Sequence, residues 1–380
     1  MGTDGKNMWD LEKTRFNQFE GMAEAEVTII GGGLTGLTLA CHLKRYAPKK
    51  TILLLEADQI GSGASGRSGG ILMDGTASDD YPGTDRAVDS LRELIEREAI
   101  DCELRTNGCF EMDRQPRWNG ERPIFNDSGR LGPVQTVSGG DFHPQKFVTG
   151  LARRIADRGG SLFERSPVVA IDPGPVTQVL TPGGVVKTEW LISATNTDLW
   201  QQLKIENQFT PYSTYAIASE PLSRSCLAEI GWGEELPFYT LSLPFLWGRT
   251  TLEGRVVIGA GLSPIKKIKV EMLEELEERF HNLHPALQGV SIEYRWWGPI
   301  GIPHDWTPKI LTSPLHPKIL YIGGYAGHGC ALSNLFAERT AAYLAGEEGA
   351  LEIFSWAQSP SPRLLPFSRT VRDTLIRKIA

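Results

Sequence analysis

The sequence has little of what marks metal centres and disulfide scaffolds. Its five cysteines, Cys41, Cys102, Cys109, Cys226 and Cys330, are odd in number and form no C-x-x-C pair. This pattern argues against a zinc site and against a disulfide framework. We therefore expect no metal, reduced thiols and a cytoplasmic location, because disulfides are rare in that compartment.

Basic charge and long apolar runs are scarce as well. The net charge is −7, and basic residues occur only in fragments such as PIKKIK, so a nucleic-acid partner is not expected. No run approaches the roughly 18 apolar residues of a membrane span. The first 24 residues contain no apolar segment of the signal-peptide type. The balance favours a neutral or cationic small-molecule partner, and 380 residues suffice for one large or two medium domains.

The first glycine turn, GGGLTGLTLA, lies between the apolar strand EVTIIGGG and the helix LTGLTLACHLKRY. Gly31, Gly33 and Gly36 have the G-x-G-x-x-G spacing, which allows a tight turn, close approach to a pyrophosphate and close packing of helix on strand. The helix N-terminus offers free N–H groups to phosphates. Glu56 ends the next strand, TILLLEA, where a carboxylate accepts hydrogen bonds from ribose hydroxyls. The unit indicates a dinucleotide, either NAD or FAD.

Two later glycine-rich segments favour FAD, although an NAD-dependent dehydrogenase stays the alternative. The Gly-Ser loop, GSGASGRSGG (residues 61–70), adds small residues, hydroxyls and Arg67 soon after the dinucleotide unit. The second glycine turn, in YIGGYAGHGCALS (residues 321–333), again joins a strand to a helix. We expect that helix N-terminus to face the flavin N1–C2=O edge, where negative charge builds on reduction. His328, between two glycines, is expected to contact the cofactor or the substrate.

A third segment, VVIGAGLSP (residues 256–264), also has a partial dinucleotide pattern. Pro264 stands where the third glycine is needed, the following IKKIK opens no clean helix, and no acidic strand end follows at the right distance. We therefore predict a strand and a turn here, not a separate NAD(P)H site.

Taken together, IIGGGLTGLTLA, LLLEA, GSGASGRSGG, RWWGPIG and YIGGYAGHGCALS resemble the FAD-dependent amine and amino-acid oxidases of the D-amino-acid oxidase, glycine oxidase and sarcosine oxidase type. GASGRSGG, GYAGHG and the tail LLPFSRTVRDTL are most similar to the gamma-glutamylputrescine oxidase branch. The resemblance extends from Val27 onward. It implies hydride transfer from an amine-bearing carbon to flavin, hydrolysis of the imine and O2 as acceptor. The alternative is a D-amino-acid or glycine-type dehydrogenase with an acceptor other than O2, or a catalytically idle flavin-binding protein.

The resemblance also implies a mixed α/β fold, with a Rossmann-like FAD-binding domain interleaved with a mixed-sheet substrate domain. The predicted FAD-binding domain comprises residues 25–85, 140–205 and 310–380, and the substrate domain comprises residues 86–139 and 206–309. Residues 1–24 form an extension, with a short helix expected around residues 9–19, and a last helix is expected in the tail.

The resemblance carries FAD contacts to this chain residue by residue. The predicted contacts are Gly31, Gly33, Leu34, Thr35, Gly36, Glu56, Ala57, Ala64, Ser65, Arg67, Ser68, Val168, Gly298, Gly327, His328, Gly329, Cys330 and Ala331. Some relatives attach FAD to a cysteine in the strand before GIPHD, where this chain has Trp296, Trp297 and Gly298. Non-covalent FAD is therefore expected.

The substrate side departs from the amino-acid oxidases. Their arginine, which clamps a substrate carboxylate bidentately, is replaced by Ile300, so a small α-amino acid is less expected than an amine or a larger amino compound. The strand RVVIGAG lacks the oxygen-activating lysine of sarcosine oxidases, which leaves oxidase or dehydrogenase open. Trp297, Tyr325 and His328 are the predicted catalytic-pocket residues, with Trp247 and Tyr239 on another candidate strand of an aromatic wall.

Overall fold

The computed structural model describes residues 7–9, 16–78, 80–114, 124–127, 129–232, 236–242, 244–264 and 269–361. Within these residues the chain forms two eight-stranded sheets and one two-stranded sheet. The strands of the first sheet are β1 (Gly21–Ile30), β2 (Ile52–Leu55), β8 (Ser161–Phe163), β9 (Ala170–Asp172), β10 (Thr177–Thr181), β11 (Gly184–Ser193), β17 (Lys309–Thr312) and β18 (Ile319–Gly323). Those of the two-stranded sheet are β3 (Ile71–Met73) and β7 (Gly139–Asp141).

The strands of the second sheet are β4 (Cys109–Asp113), β5 (Phe125–Asn126), β6 (Arg130–Val137), β12 (Phe209–Pro221), β13 (Phe238–Thr240), β14 (Trp247–Thr250), β15 (Arg255–Pro264) and β16 (Ile292–Pro303). The α-helices are α1 (Leu34–Tyr46), α2 (Ala87–Arg97), α3 (Pro144–Asp157), α4 (Arg224–Glu229), α5 (Glu271–Leu283) and α6 (Gly329–Leu344). Short 3-10 helices cover Ser65–Arg67, Thr84–Arg86, Glu206–Gln208, Pro285–Leu287 and Glu348–Ala357.

The first sheet has the order β17-β18-β11-β1-β2-β8, and β18, β11, β1, β2 and β8 run parallel. The strand β2, with the sequence ILLL, is buried along its whole length, because a parallel sheet is covered on both faces. One face packs with α1, α2, α3 and α6, and the other with a second apolar cluster around Leu55, Trp200 and Tyr321. Because parallel strands end at one edge, the turns after β1 and β18 lie at the same edge.

The second sheet has the order β16-β12-β15-β14-β13-β4-β6-β5 and is mostly antiparallel. Side chains alternate between its two faces. Tyr215 and Ile217 pack with Phe280 of α5, whereas Ala216, Ala218 and Trp296 form a separate cluster on the opposite face. That opposite face, called here the inner face, carries Trp296, whose Nε1 donates to a carbonyl of the Gly-Ser loop.

The mixed α/β fold is confirmed, and the predicted strand–turn–helix units lie at both glycine turns. The segment VVIGAGLSP lies in strand β15. No regular structure is found for residues 16–20, while residues 10–15 and the predicted tail helix lie outside the described residues. Helix α2, placed by prediction with the substrate domain, packs on α6, and β1 begins at Gly21. The domain boundaries stay a prediction. Among the described residues, no helix is long and apolar enough to cross a membrane.

Candidate functional site

The first glycine turn has a backbone that only glycine fits. Gly31 has φ of +108°, and a Cβ built there would lie 2.6 Å from the carbonyl oxygen of Ala194. A Cβ on Gly36 would overlap the carbonyl oxygen of Gly31. Helix α1 can therefore start close against β1, and its N-cap, Gly33, contributes no capping side chain. The helix N-terminus thus presents backbone N–H groups of the kind that bind phosphates.

Glu56 is fixed at the end of β2 beside this turn. Its Oε2 accepts from the backbone N–H of Gly32 at 2.7 Å, and its Oε1 accepts from that of Asp58 at 2.9 Å. Burial raises the pKa of the Glu56 carboxyl, although these hydrogen bonds act in the opposite direction. Ser166 donates its N–H to the Glu56 carbonyl at 2.8 Å, which brings the half-buried Val168 to the same strand end. The exposed Ala57 follows directly, so the predicted ribose-side residues lie together.

The Gly-Ser loop connects this turn to the second sheet. Ser65 Oγ accepts from the backbone N–H of Leu34 at 2.8 Å, at the start of α1. Arg67 donates Nε to the Ser62 carbonyl at 3.0 Å and accepts, through its own carbonyl, from Trp296 Nε1 at 2.8 Å. A Cβ built on Gly298 would lie 3.5 Å from Arg67 Cβ. Ala64 and Ser68 flank the 3-10 helix Ser65–Arg67 in this loop.

The second glycine turn meets the first although about 290 residues separate them. Thr35 Oγ1 and Tyr325 OH lie 3.1 Å apart, and helices α1 and α6 pack side by side. Gly327 is exposed with φ of +100°, and a Cβ built there would lie 3.5 Å from Ile300 Cδ1. Helix α6 begins at Gly329, followed by the half-buried Cys330 and the buried Ala331. Residues 327–331 therefore lie close to α1 and β16.

His328 is the N-cap residue of α6, and its side chain makes no capping hydrogen bond. Burial lowers its pKa to about 4, so the imidazole is neutral at physiological pH. Among the described residues its Nδ1 has no hydrogen-bond partner, although the atom is shielded from solvent. A buried polar atom of this kind normally has a partner. The unpaired nitrogen therefore fits a site at which a group binds beside the second glycine turn.

The structure places the Trp297 side chain outside the predicted catalytic pocket. Its side chain packs on the core beneath α5, with the cluster that contains Tyr215 and Phe280. The reason is the two-residue period of strand β16, which places Trp296 and Gly298 on the inner face and Trp297 on the other. Tyr325 belongs to the second glycine turn, and its hydroxyl contacts Thr35 of the first glycine turn.

The inner face carries a polar aromatic group that sequence reasoning recognised only in part. Trp247 pairs with Tyr239, which pairs in turn with Glu111, so the three side chains share one face. Tyr239 donates its hydroxyl to Glu111, and a Cβ on Gly69 would meet the Trp247 ring at 2.5 Å. Burial and the neighbouring carboxylate raise the pKa of Tyr239, which stays protonated. Glu111 belongs to no motif, so only its register with Tyr239 reveals it.

The two adjacent glycine turns, the helix N-termini that follow them and the Glu56 carboxylate are features that fit FAD. The family model for FAD dependent oxidoreductases matches residues 26–343, and the chain belongs to this family. FAD is its cofactor, and it is an oxidoreductase acting on amines or amino compounds, as predicted.

Individual relatives share most of the chain. It is 28% identical to the probable oxidoreductase OrdL of Haemophilus influenzae, over 94% of this chain and 90% of that protein. It is 27% identical to the gamma-glutamylputrescine oxidoreductase of Escherichia coli, over 87% and 86%. The solved glycine oxidase from Bacillus cereus covers 90% of this chain and 99% of its own, at 18% identity with a TM-score of 0.70, which shows a common fold.

Proposed function

We propose that this chain oxidises the carbon–nitrogen bond of an amine or a larger amino compound, using non-covalent FAD, and not that of a small α-amino acid. The observation that carries the proposal is Ile300. It lies on β16 against Gly327, with Cδ1 at 3.5 Å from the Cβ position there. The family resemblance implies that this apolar side chain occupies the position of the arginine with which amino-acid oxidases bind the substrate carboxylate.

Other arginines of this region already have partners. Arg67 donates Nε to Ser62, and Arg249 is buried against Asp141 with an Nη2–Oδ1 distance of 3.0 Å. Arg249 therefore cannot take over the clamp without losing an existing bond, and Arg67 is tied through Nε to the backbone of its own loop. Because an unclamped carboxylate would lose its hydration without compensation, the site disfavours small amino acids.

The inner face supports an amine with a cationic or polar distal part. Trp247 and Tyr239 offer aromatic surface, and Glu111 adds a carboxylate beside them. Aromatic rings and a carboxylate attract alkylammonium groups. The Escherichia coli relative is named for gamma-glutamylputrescine, an acylated diamine. We propose a primary amine of this kind, a diamine or an acylated diamine, as the substrate class.

FAD, when bound, supplies the hydride acceptor, and the released imine hydrolyses in water. The chain contributes position and charge. The start of α6 directs backbone N–H groups toward the site, which favours developing negative charge. Burial keeps His328 neutral there, so the backbone N–H groups, and not an imidazolium, supply this favourable charge.

O2 is the proposed electron acceptor and the cytoplasm the proposed location. The β15 sequence RVVIGAGLSP contains no lysine of the sarcosine-oxidase type. A dehydrogenase with a different acceptor is therefore the second candidate.

The decisive experiment is anaerobic reduction of the purified yellow protein by a panel of compounds. The panel contains putrescine, gamma-glutamylputrescine, glycine, sarcosine, D-alanine and L-proline. We expect an amine to bleach the flavin faster than any α-amino acid, and admitted air to restore the colour. Bleaching only by small amino acids contradicts the substrate class, and no bleaching by any compound indicates an idle flavoprotein. Reoxidation only by an artificial acceptor indicates a dehydrogenase. Acid precipitation that leaves the flavin on the protein contradicts non-covalent binding.

A further inference from the structure

The described residues before β1, residues 7–9 and 16–20, are called here the N-terminal segment, and they contact the Gly-Ser loop through Asn7 and Trp9. We propose that Trp9 is a positioning residue for FAD: it holds the Gly-Ser loop in the conformation that receives the cofactor, so that the N-terminal segment sets how tightly FAD is retained. The inference rests on the proposed contact between this loop and FAD, and it concerns a residue that no glycine motif contains.

Trp9 and Asn7 both bind backbone carbonyls of the loop. The Trp9 side chain is 2% exposed, although it lies twelve positions before the start of the first strand. Its Nε1 donates to the Ser68 carbonyl at 2.8 Å, and Asn7 Nδ2 donates to the Gly66 carbonyl at 3.2 Å. Asn7 Oδ1 accepts from the Trp9 backbone N–H at 2.6 Å, which holds the two side chains together. Two donors thus fix the stretch that contains Arg67.

The indole also covers a buried cation that binds the other end of the loop. The Arg249 guanidinium carbon lies 5.4 Å from the centre of the Trp9 ring. Arg249 Nη1 donates to the Gly69 carbonyl at 3.2 Å and to the Phe142 carbonyl at 2.6 Å. Asp141 balances the charge at 3.0 Å. Because the ring shields these bonds from water, it strengthens the attachment of the loop to strand β14.

The same N-terminal segment also reaches the ribose-side residues. Phe19 donates its backbone N–H to Ser166 Oγ at 2.8 Å, and Phe16 donates its own to Glu164 Oε2 at 3.0 Å. The other oxygen of Glu164 accepts from the Ile60 backbone N–H at 2.9 Å, immediately before the Gly-Ser loop. The segment is therefore bonded at both sides of the proposed FAD site.

The test compares Trp9→Phe, Trp9→Ala and Trp232→Phe. Trp232 is a matched control, since it is 1% exposed and donates Nε1 to the Leu236 carbonyl at 2.8 Å, in the core of the second sheet. Apoprotein is titrated with FAD by fluorescence quenching, and the unfolding midpoint of each apoprotein is recorded.

We expect Trp9→Phe, which keeps the ring face and loses the N–H, to raise the Kd of FAD about fivefold. Trp9→Ala loses the cover of Arg249 as well and is expected to raise it at least tenfold, whereas Trp232→Phe lowers the unfolding midpoint with a Kd within twofold of wild type. If Trp9→Ala does not fold, Trp9→Phe and Asn7→Ala decide, each with an expected rise of a few fold.

Unchanged FAD binding in the Trp9 variants, or an equal rise in Trp232→Phe, overturns the inference. Because no substrate enters the titration, a failed amine panel leaves this result standing, and a failed titration leaves the panel standing.

Discussion

Gly66 and Gly63, three residues apart in the Gly-Ser loop, offer a sharp test of whether the geometry of this loop governs FAD binding. Gly66 is buried, and a Cβ added there would overlap both the Gly61 carbonyl oxygen and Gln145 Oε1. The Gly61 carbonyl also accepts the Gly66 N–H at 3.0 Å, so it cannot withdraw without opening the turn. Gly63 is exposed, and nothing lies within 4 Å of a Cβ built there.

Overpacking of this kind costs about 1–3 kcal/mol. If the loop relieves the overlap by leaving the conformation that receives FAD, the whole cost appears in binding, as a rise in Kd of about 5- to 150-fold. Gly66→Ala is therefore expected to weaken FAD binding by one to two orders of magnitude, and Gly63→Ala by less than twofold. Fluorescence titration of the apoproteins measures both.

An equal loss of FAD binding in Gly63→Ala and Gly66→Ala would contradict this prediction, because flexibility of the loop would then matter and close packing would not. It is refuted equally if Gly66→Ala binds FAD like wild type. The unfolding midpoint separates a local effect from a general one, since a variant that only loses stability keeps its Kd once folded at low temperature.

Three further predictions follow from single residues of the site. Glu56→Gln removes a charged acceptor and is expected to raise the Kd of FAD about tenfold, whereas Glu189→Gln, which removes an exposed ion pair with Lys318, leaves it unchanged in the same titration. Ile300→Arg is expected to raise the anaerobic bleaching rate with glycine or D-alanine relative to amines, and an unchanged preference would show that this position does not select the substrate. Burial lowers the pKa of His328 to about 4, below the unfolded value near 6.5, so its contribution to apoprotein stability falls as pH drops from about 6.5 to 4. His328→Asn is expected to flatten the unfolding midpoint over that window, and an unaltered slope would contradict the burial of a neutral imidazole.

Local sequence patterns predicted most of the strand–turn–helix units of the fold. EVTIIGGG and the following helix, like ILYIGG and its helix, specify strand, turn and helix within some twenty residues, because glycine spacing and apolar periodicity act over that range. The position of Glu56 could be predicted equally well, since the end of a buried strand can be recognised in the sequence. The contact between Thr35 and Tyr325 was not predicted, because no local rule relates positions 290 residues apart.

The side chains of the inner face could not be predicted from local sequence patterns alone. Strand alternation requires that Trp296 and Trp297 face opposite ways, but it does not say which face meets the cofactor; that depends on α5 covering one side of the second sheet. The same holds for Glu111, whose role depends on its cross-strand neighbour, and for Trp9, whose burial depends on a loop almost sixty residues later. The residues proposed to hold the cofactor are therefore largely predictable from glycine motifs. Those proposed to select the substrate and to fix the loop depend on tertiary contacts between segments that are distant in the sequence.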